Sequence, residues 1–234
     1  MVHVAETGST NADLLALAQG GVADGTWLRA DVQSGGRGRL GRAWASPPGN
    51  LYASTIVRVL AGDPPAATLA LVAAVALEEA VSAYLRANDD VKLKWPNDLI
   101  VGGKKLSGIL LERADDAVVI GFGVNLAAHP ALPDRPTTSL ASHGIELSPE
   151  ALLETLAEAL ARWLSRWRSE GLGPIRARWV ARAHPTGSAL SVRQPDGTTL
   201  EGLFDGLDQS GALMLRLADG SRHVMHAGDV FLLD

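Results

Sequence analysis

A chain of 234 residues, 47% hydrophobic and 20% charged, is long enough to bury a core and has the balance of a globular protein. Its formal charge of −5 argues against a dedicated nucleic-acid binder, which would carry a basic domain. With no cysteine, a disulfide framework, a thiolate metal site and a thiol nucleophile are all excluded. Met1–Glu6 lacks the basic and apolar regions of a signal peptide. The most apolar stretch, Ala66–Leu77, is too short to cross a bilayer, so a soluble, cytoplasmic chain is expected.

In chain order, Thr10 reads as the N-cap of a first helix that Gly20-Gly21 stops. Thr26–Val32 and Leu51–Val59 read as strands, rich in β-branched and apolar residues, around a polar, glycine-rich segment, 33–50. Pro64 opens a helix to about Leu85 that is apolar on nearly every face and so packs on a sheet. Val91–Trp95, Lys105–Glu112 and Ala117–Val124 are strands joined by turns at Gly102-Gly103 and 114–116. Connections that short favour antiparallel pairing. The expected class is therefore α+β, not a doubly wound parallel sheet. Ser148-Pro149-Glu150 opens a long helix with Leu152, Leu153, Leu156, Leu160, Trp163, Leu164 and Trp167 on one face, ended by Gly171; a shorter helix follows from Pro174 to about Ala183. Beyond Gly187, five short β segments are punctuated by Pro195-Asp196-Gly197, Asp205-Gly206, Ser210-Gly211, Asp219-Gly220 and Ala227-Gly228. That pattern suits a small barrel and a domain boundary, giving 1–186 and 187–234.

The most informative segment is Gly35–Arg42, in which four glycines let backbone N–H groups converge on an anion and three arginines add charge. It reads either as a phosphate cradle or as a solvated basic loop. It is not a Walker loop, because no Gly-Lys-Ser/Thr follows and the next element is a strand. Trp44, just beyond it, is a stacking partner for a base or a core residue. Lys92–Asp98 places Lys92 and Lys94 on one strand face, which reads as a solvated edge, with Trp95-Pro96-Asn97-Asp98 as a turn. Asp98 is a turn former or, if it faces the arginines, a carboxylate for Mg²⁺ beside a nucleotide. Alternation sets Lys105 and Ser107 on one face of their strand, and Gly108 within it marks a bulge or the close approach of a ligand. Gly121–Asn125 ends a strand with an asparagine suited to a polar ligand edge. Ser9, Thr10, Asn11 and Gln33 are small donors and acceptors that cap a helix or contact a ligand.

In order, Ser9-Thr10-Asn11, Gln33, the Gly36-Arg37-Gly38-Arg39 loop with Trp44, Lys94–Asp98, Lys105 with Gly108, and Gly121–Asn125 resemble the biotin–protein ligases over nearly the whole chain. The resemblance implies a catalytic domain with a mixed, largely antiparallel sheet, akin to lipoate ligases and class II synthetases, followed by an SH3-like barrel. It implies ATP-dependent attachment of biotin to one lysine of a biotin carboxyl carrier domain, through biotinyl-5′-AMP with loss of pyrophosphate. Biotin would be held by Ser9, Thr10, Asn11, Gln33, Gly36, Arg37, Arg39 and Gly108. The nucleotide would lie by Arg39, Arg42, Trp44, Asn97, Lys105, Gly121 and Asn125, with Lys105, Arg39 and Asp98 acting on the reacting groups. Mg²⁺ would arrive only with ATP, and no metal would be resident. The family often dimerises through the catalytic sheet. Its repressor members carry a winged-helix domain before the core, for which the start of this chain leaves no room, so neither DNA nor membrane is an expected partner. The alternatives are an adenylate-forming lipoate ligase, whose pocket would be more apolar, and a non-catalytic carrier-binding module.

Overall fold

The computed structural model describes residues 1–133 and 135–233, and its architecture is α+β. A seven-stranded mixed sheet runs in the order β1-β2-β3-β7-β6-β5-β4. β1 (Val2–Thr7) and β2 (Trp27–Gln33) are parallel and joined through helix α1 (Thr10–Gln19). The remaining pairs are antiparallel: β3 (Leu51–Arg58) on β7 (Ala117–Val124), β7 on β6 (Lys104–Ala114), then β5 (Asp98–Val101) and β4 (Val91–Lys94). Two of these strands escape the sequence pattern. β1 is an edge strand with none of its residues buried, and β5 is four residues long and hidden behind the Trp95–Asn97 turn.

Three local departures have identifiable causes. Ser9, not Thr10, caps α1: its Oγ accepts from Ala12 N, because the N–H and hydroxyl of Thr10 are committed to Gln33 and Ser54. Helix α2 (Leu69–Ser82) starts five residues after Pro64, behind a 3-10 turn at Ala66–Thr68. Pro64 precedes a second proline, which disfavours helical geometry at Pro64 itself. Along β6 the pairing with β5 shifts between Leu99 and Ile100, so strict alternation breaks. Lys105 consequently shares a face with Gly108: a Cβ on Gly108 would lie 3.3 Å from Lys105 Nζ. Ser107 turns away and donates to Gly123 O.

Helix α2 is buried on almost every side, between the sheet and helix α3 (Pro149–Glu170). The leucine and tryptophan face of α3 closes the core, and Trp167 Nε1 donates to Thr68 Oγ1 at 2.8 Å. A fourth helix, α4 (Leu172–Ala181), begins two residues before the predicted Pro174. The chain then forms an antiparallel five-stranded sheet, β11-β10-β9-β8-β12, from β8 (Ala189–Arg193), β9 (Thr199–Leu207), β10 (Leu213–Arg216), β11 (Arg222–Met225) and β12 (Asp229–Leu232). Asp205-Gly206 does not separate two strands. It lies inside β9, where Gly206 takes φ +95° beside a break in the β9–β10 register, so the glycine serves a bulge. No helix among the described residues is long and apolar enough to cross a membrane.

Candidate active site

A cavity of about 780 Å³ opens over one face of the mixed sheet, between the start of α1, the glycine-rich loop and the first residues of β12. Its described lining holds six cationic side chains, Arg37, Arg39, Arg42, Lys94, Lys105 and Arg135, against two carboxylates, Asp98 and Asp229. A space so charged attracts anions.

One end is neutral and tightly bonded. Thr10 N donates to Gln33 Oε1 at 2.9 Å, and Thr10 Oγ1 lies 3.1 Å from the same oxygen and 2.7 Å from Ser54 Oγ. Ser54 Oγ donates to Asn11 Oδ1 at 2.6 Å, while Asn11 Nδ2 donates to Glu112 Oε2 at 2.8 Å and Leu110 O at 3.3 Å. Thr10, Asn11 and Ser54 are buried. Gly121 lies under Asn11, where a Cβ would meet Asn11 Oδ1 at 2.2 Å, so the glycine is what seats this asparagine against β7.

The glycine-rich loop folds as a narrow hairpin. Trp44 N donates to Gly36 O at 2.9 Å and Gly38 N to Arg42 O at 2.7 Å, with Arg37 opposite Ala43. In that alternation the Arg37 N–H turns away from the partner segment. Gly36 allows the closure, since a Cβ there would sit 2.7 Å from Trp44 O. At the tip, Leu40 takes φ +56° within the 3-10 turn Arg39–Gly41. Both tip arginines reach the C-terminal sheet: Arg39 donates to Gly228 O at 3.4 Å, and Arg42 pairs with Asp229. Burial pushes the Arg39 guanidinium down, opposed by Asp229 and Asp98. Burial alone would raise the Asp229 carboxyl, but Arg42, Arg135 and Arg39 together bring it below its ordinary value.

The charged centre is the pair Lys105 Nζ–Asp98 Oδ1, at 2.6 Å. Asp98 stands at the start of β5, opposite Lys94 on one side and Gly108 on the other, and its second oxygen is 3.8 Å from Arg135. Lys94 is drawn into the wall 5.6 Å from the Phe231 ring centroid, not left on a solvated edge. Burial lowers its pKa against the pull of Asp98, whereas Lys92 pairs outward with Asp90. The Trp44 indole lies on a floor made by Gly108 and Gly123; a Cβ on Gly123 would come within 2.5 Å of the ring. Lys105 Nζ is 5.5 Å from that ring's centroid, and the buried Nε1 of Trp44 has no hydrogen-bond partner among the described residues. Asn97 Nδ2 donates to Ile109 O at 2.6 Å and Asn125 Nδ2 to Thr138 O at 3.0 Å, which holds both at the cavity rim.

All fifteen residues named from the sequence therefore line one cavity, Ser9 and Arg37 among them. Sequence reasoning missed Ser54, Glu112, Arg135 and Asp229, and left Lys94 without a role. Ser54 had a legible signal, a hydroxyl in an otherwise apolar strand; Asp229 had none, because its partner Arg42 is 187 residues away.

The Biotin/lipoate A/B protein ligase family profile matches residues 7–125, and the Biotin protein ligase C terminal domain matches residues 187–233. The chain is 39% identical to the biotin–[acetyl-CoA-carboxylase] ligase of Paracoccus denitrificans, over 97% of this chain and 98% of that protein. It is 37% identical to the ligase of the same name from Mycobacterium tuberculosis, over 97% and 86%. Among solved structures, the biotin protein ligase of Aquifex aeolicus in complex with biotin and ATP superposes with a TM-score of 0.85 at 25% identity, covering 99% of this chain and 97% of that one. The fold and a cavity built to receive anions define a ligase of the biotin/lipoate class. The chain belongs to the biotin protein ligase family.

Proposed function

We propose that this protein activates biotin with ATP and transfers it to a lysine of a biotin carboxyl carrier domain. The observation that carries this reading is the cavity's polarity: a neutral, hydrogen-bonding end at Thr10, Asn11 and Gln33 leads into a cationic centre at Lys105 and the arginine loop. A neutral ureido ring joined by an acyl chain to a carboxylate has the same order of groups.

In the first step a biotin carboxylate oxygen attacks the α-phosphorus of ATP and pyrophosphate leaves, forming the mixed anhydride biotinyl-5′-AMP. Two anions must meet, so the barrier is largely their repulsion. Oriented cations and N–H groups lower it by stabilising charge at the transferring phosphorus. Ser9, Thr10, Asn11 and Gln33 hold the ring end, with Gly108 beside the acyl chain. The N–H groups of Arg37 and Arg39 face the carboxylate, Gly36 closes the hairpin behind them, and Lys105 bridges carboxylate and α-phosphate. Trp44, Asn97, Asn125 and Arg42 border the nucleotide, while Gly121 acts through Asn11. In the second step the neutral lysine amine attacks the acyl carbon and AMP departs, with Asp98 placed to receive the amine proton.

The buried Asp98 is the carboxylate that would hold a Mg²⁺ ion arriving with ATP, and that ion would supply neutralising charge to the phosphates. We take residues 1–186 as the catalytic unit and 187–234 as the barrel that closes over it through Gly228, Asp229 and Val230. A cytoplasmic location fits such a substrate, and a homodimer formed through the catalytic sheet is part of the reading.

The test is to incubate the protein with Mg-ATP, a carrier domain, and biotin or lipoate in turn, and to measure intact carrier mass. A gain of one biotinyl group is expected. A lipoyl gain alone overturns the substrate, and no pyrophosphate release with either acid overturns the chemistry.

A further inference from the structure

Glu112 lies toward the end of β6, half-buried behind the neutral end of the cavity, where its Oε2 accepts from Asn11 Nδ2. Glu112 does not itself line the cavity. Its consequence follows from counting protons. A carboxylate and a backbone carbonyl can only accept, so Glu112 Oε2 and Leu110 O force the amino group of Asn11 toward β6 and its Oδ1 toward Ser54. Gly121, pressed against that Oδ1, leaves the amide no other seat. Asn11 Oδ1 carries no proton, so Ser54 must give it its only one, at 2.6 Å. Toward Thr10 Oγ1, 2.7 Å away, Ser54 is then able only to accept. The Thr10 proton is therefore directed to Ser54, in preference to Gln33 Oε1 at the longer 3.1 Å. What remains on Thr10 Oγ1 for a ligand is lone pairs.

We propose that Glu112 is a positioning residue that sets, through Asn11 and Ser54, the hydrogen-bond polarity of Thr10, so that this end of the cavity selects ring N–H donors and rejects acceptors. The inference rests on the functional reading above and assigns a specificity determinant to it. Since buried donors and acceptors left mismatched cost far more than matched ones gain, a fixed polarity at a buried hydroxyl discriminates strongly between an N–H and an isosteric oxygen.

The experiment uses the full chain with Mg-ATP, as wild type, Glu112→Ala and Glu112→Gln. Binding is titrated with biotin and with the two cyclic carbamate analogues in which one ring N–H is replaced by oxygen; KM and kcat are read from pyrophosphate release. Glu112→Ala is expected to weaken biotin binding roughly tenfold while KM for ATP and kcat stay within about twofold. Glu112→Gln, whose amide oxygen still offers Asn11 an acceptor, recovers most of that loss. In the wild type at least one carbamate binds roughly a hundredfold more weakly than biotin. In Glu112→Ala that penalty shrinks about tenfold or more, because only the longer bond to Leu110 O still holds the Asn11 amino group toward β6, and once Asn11 turns over Thr10 can offer its proton. An unchanged carbamate penalty overturns the inference, as do equal losses in kcat and in both KM values or a Glu112→Gln variant as impaired as Glu112→Ala. A wild-type chain that binds neither biotin nor either analogue overturns the functional reading itself, and the inference with it.

Discussion

Gly121→Ala isolates the packing that seats Asn11. The new Cβ would stand 2.2 Å from Asn11 Oδ1, 2.9 Å from its Cγ and 3.1 Å from its Nδ2, where ordinary contact begins near 3.4 Å. The amide must retreat by more than an ångström, yet it is tied to Ser54 at 2.6 Å, Glu112 at 2.8 Å and Leu110 at 3.3 Å. Evicting it forfeits three hydrogen bonds, each worth about 1 kcal/mol net, so a loss of about 2–4 kcal/mol in stability is expected. All three of the nearest atoms belong to Asn11. In an Asn11→Ala background the same substitution should therefore cost less than about 0.5 kcal/mol, since the three nearest atoms are then gone and the added methyl restricts the unfolded chain. Urea unfolding of the four proteins in this cycle measures the coupling, expected near 2–3 kcal/mol at constant m value. A cost that is the same in both backgrounds would refute the reasoning and place the strain in the β7 backbone.

Three further outcomes follow from the charged parts. Lys105→Gln removes the ammonium 2.6 Å from Asp98 and should lower kcat for pyrophosphate release by roughly 10²–10³-fold; a change of less than about threefold would remove Lys105 from the chemistry. His184 is buried at the junction of sheet and barrel, and burial, then Lys92 and Lys94, pull its pKa below the ordinary 6.5, with Asp90 opposing. The folded state thus binds fewer protons than the unfolded one below that value, so stability falls as pH drops through 6.5 toward the folded pKa. Melting temperatures of wild type and His184→Gln at about pH 7.5 and 5.5 should show a smaller acid-induced drop in the variant; equal drops would exclude His184 as the source. Asp229→Asn weakens a partly exposed pair with Arg42, so stability should change by less than about 1 kcal/mol. Tryptic cleavage after Arg37, Arg39 and Arg42 should nonetheless quicken as the loop loses its tether, and unchanged cleavage would show that the barrel does not hold it.

Several features were legible because they are local. The long amphipathic α3, the apolar α2, β7 from Ala117 to Val124 and the α+β class all follow from periodicity and turn residues, which act over a few neighbours. The loop from Gly36 to Trp44 was legible as an anion cradle for the same reason: glycine and arginine carry their conformational freedom and charge wherever they sit. Tertiary structure decided which reading of each ambiguous residue holds. Lys94 and Asp98 belong to the cavity because a hairpin turns them inward, and Lys105 faces Gly108, not Ser107, because a bulge breaks alternation. Thr10 yields the helix cap to Ser9 because Ser54 and Gln33, distant in sequence, claim its hydrogen bonds. Hydrogen-bond direction, register and the pairing of Arg42 with Asp229 are properties of contacts between distant segments, and no run of neighbouring residues encodes them.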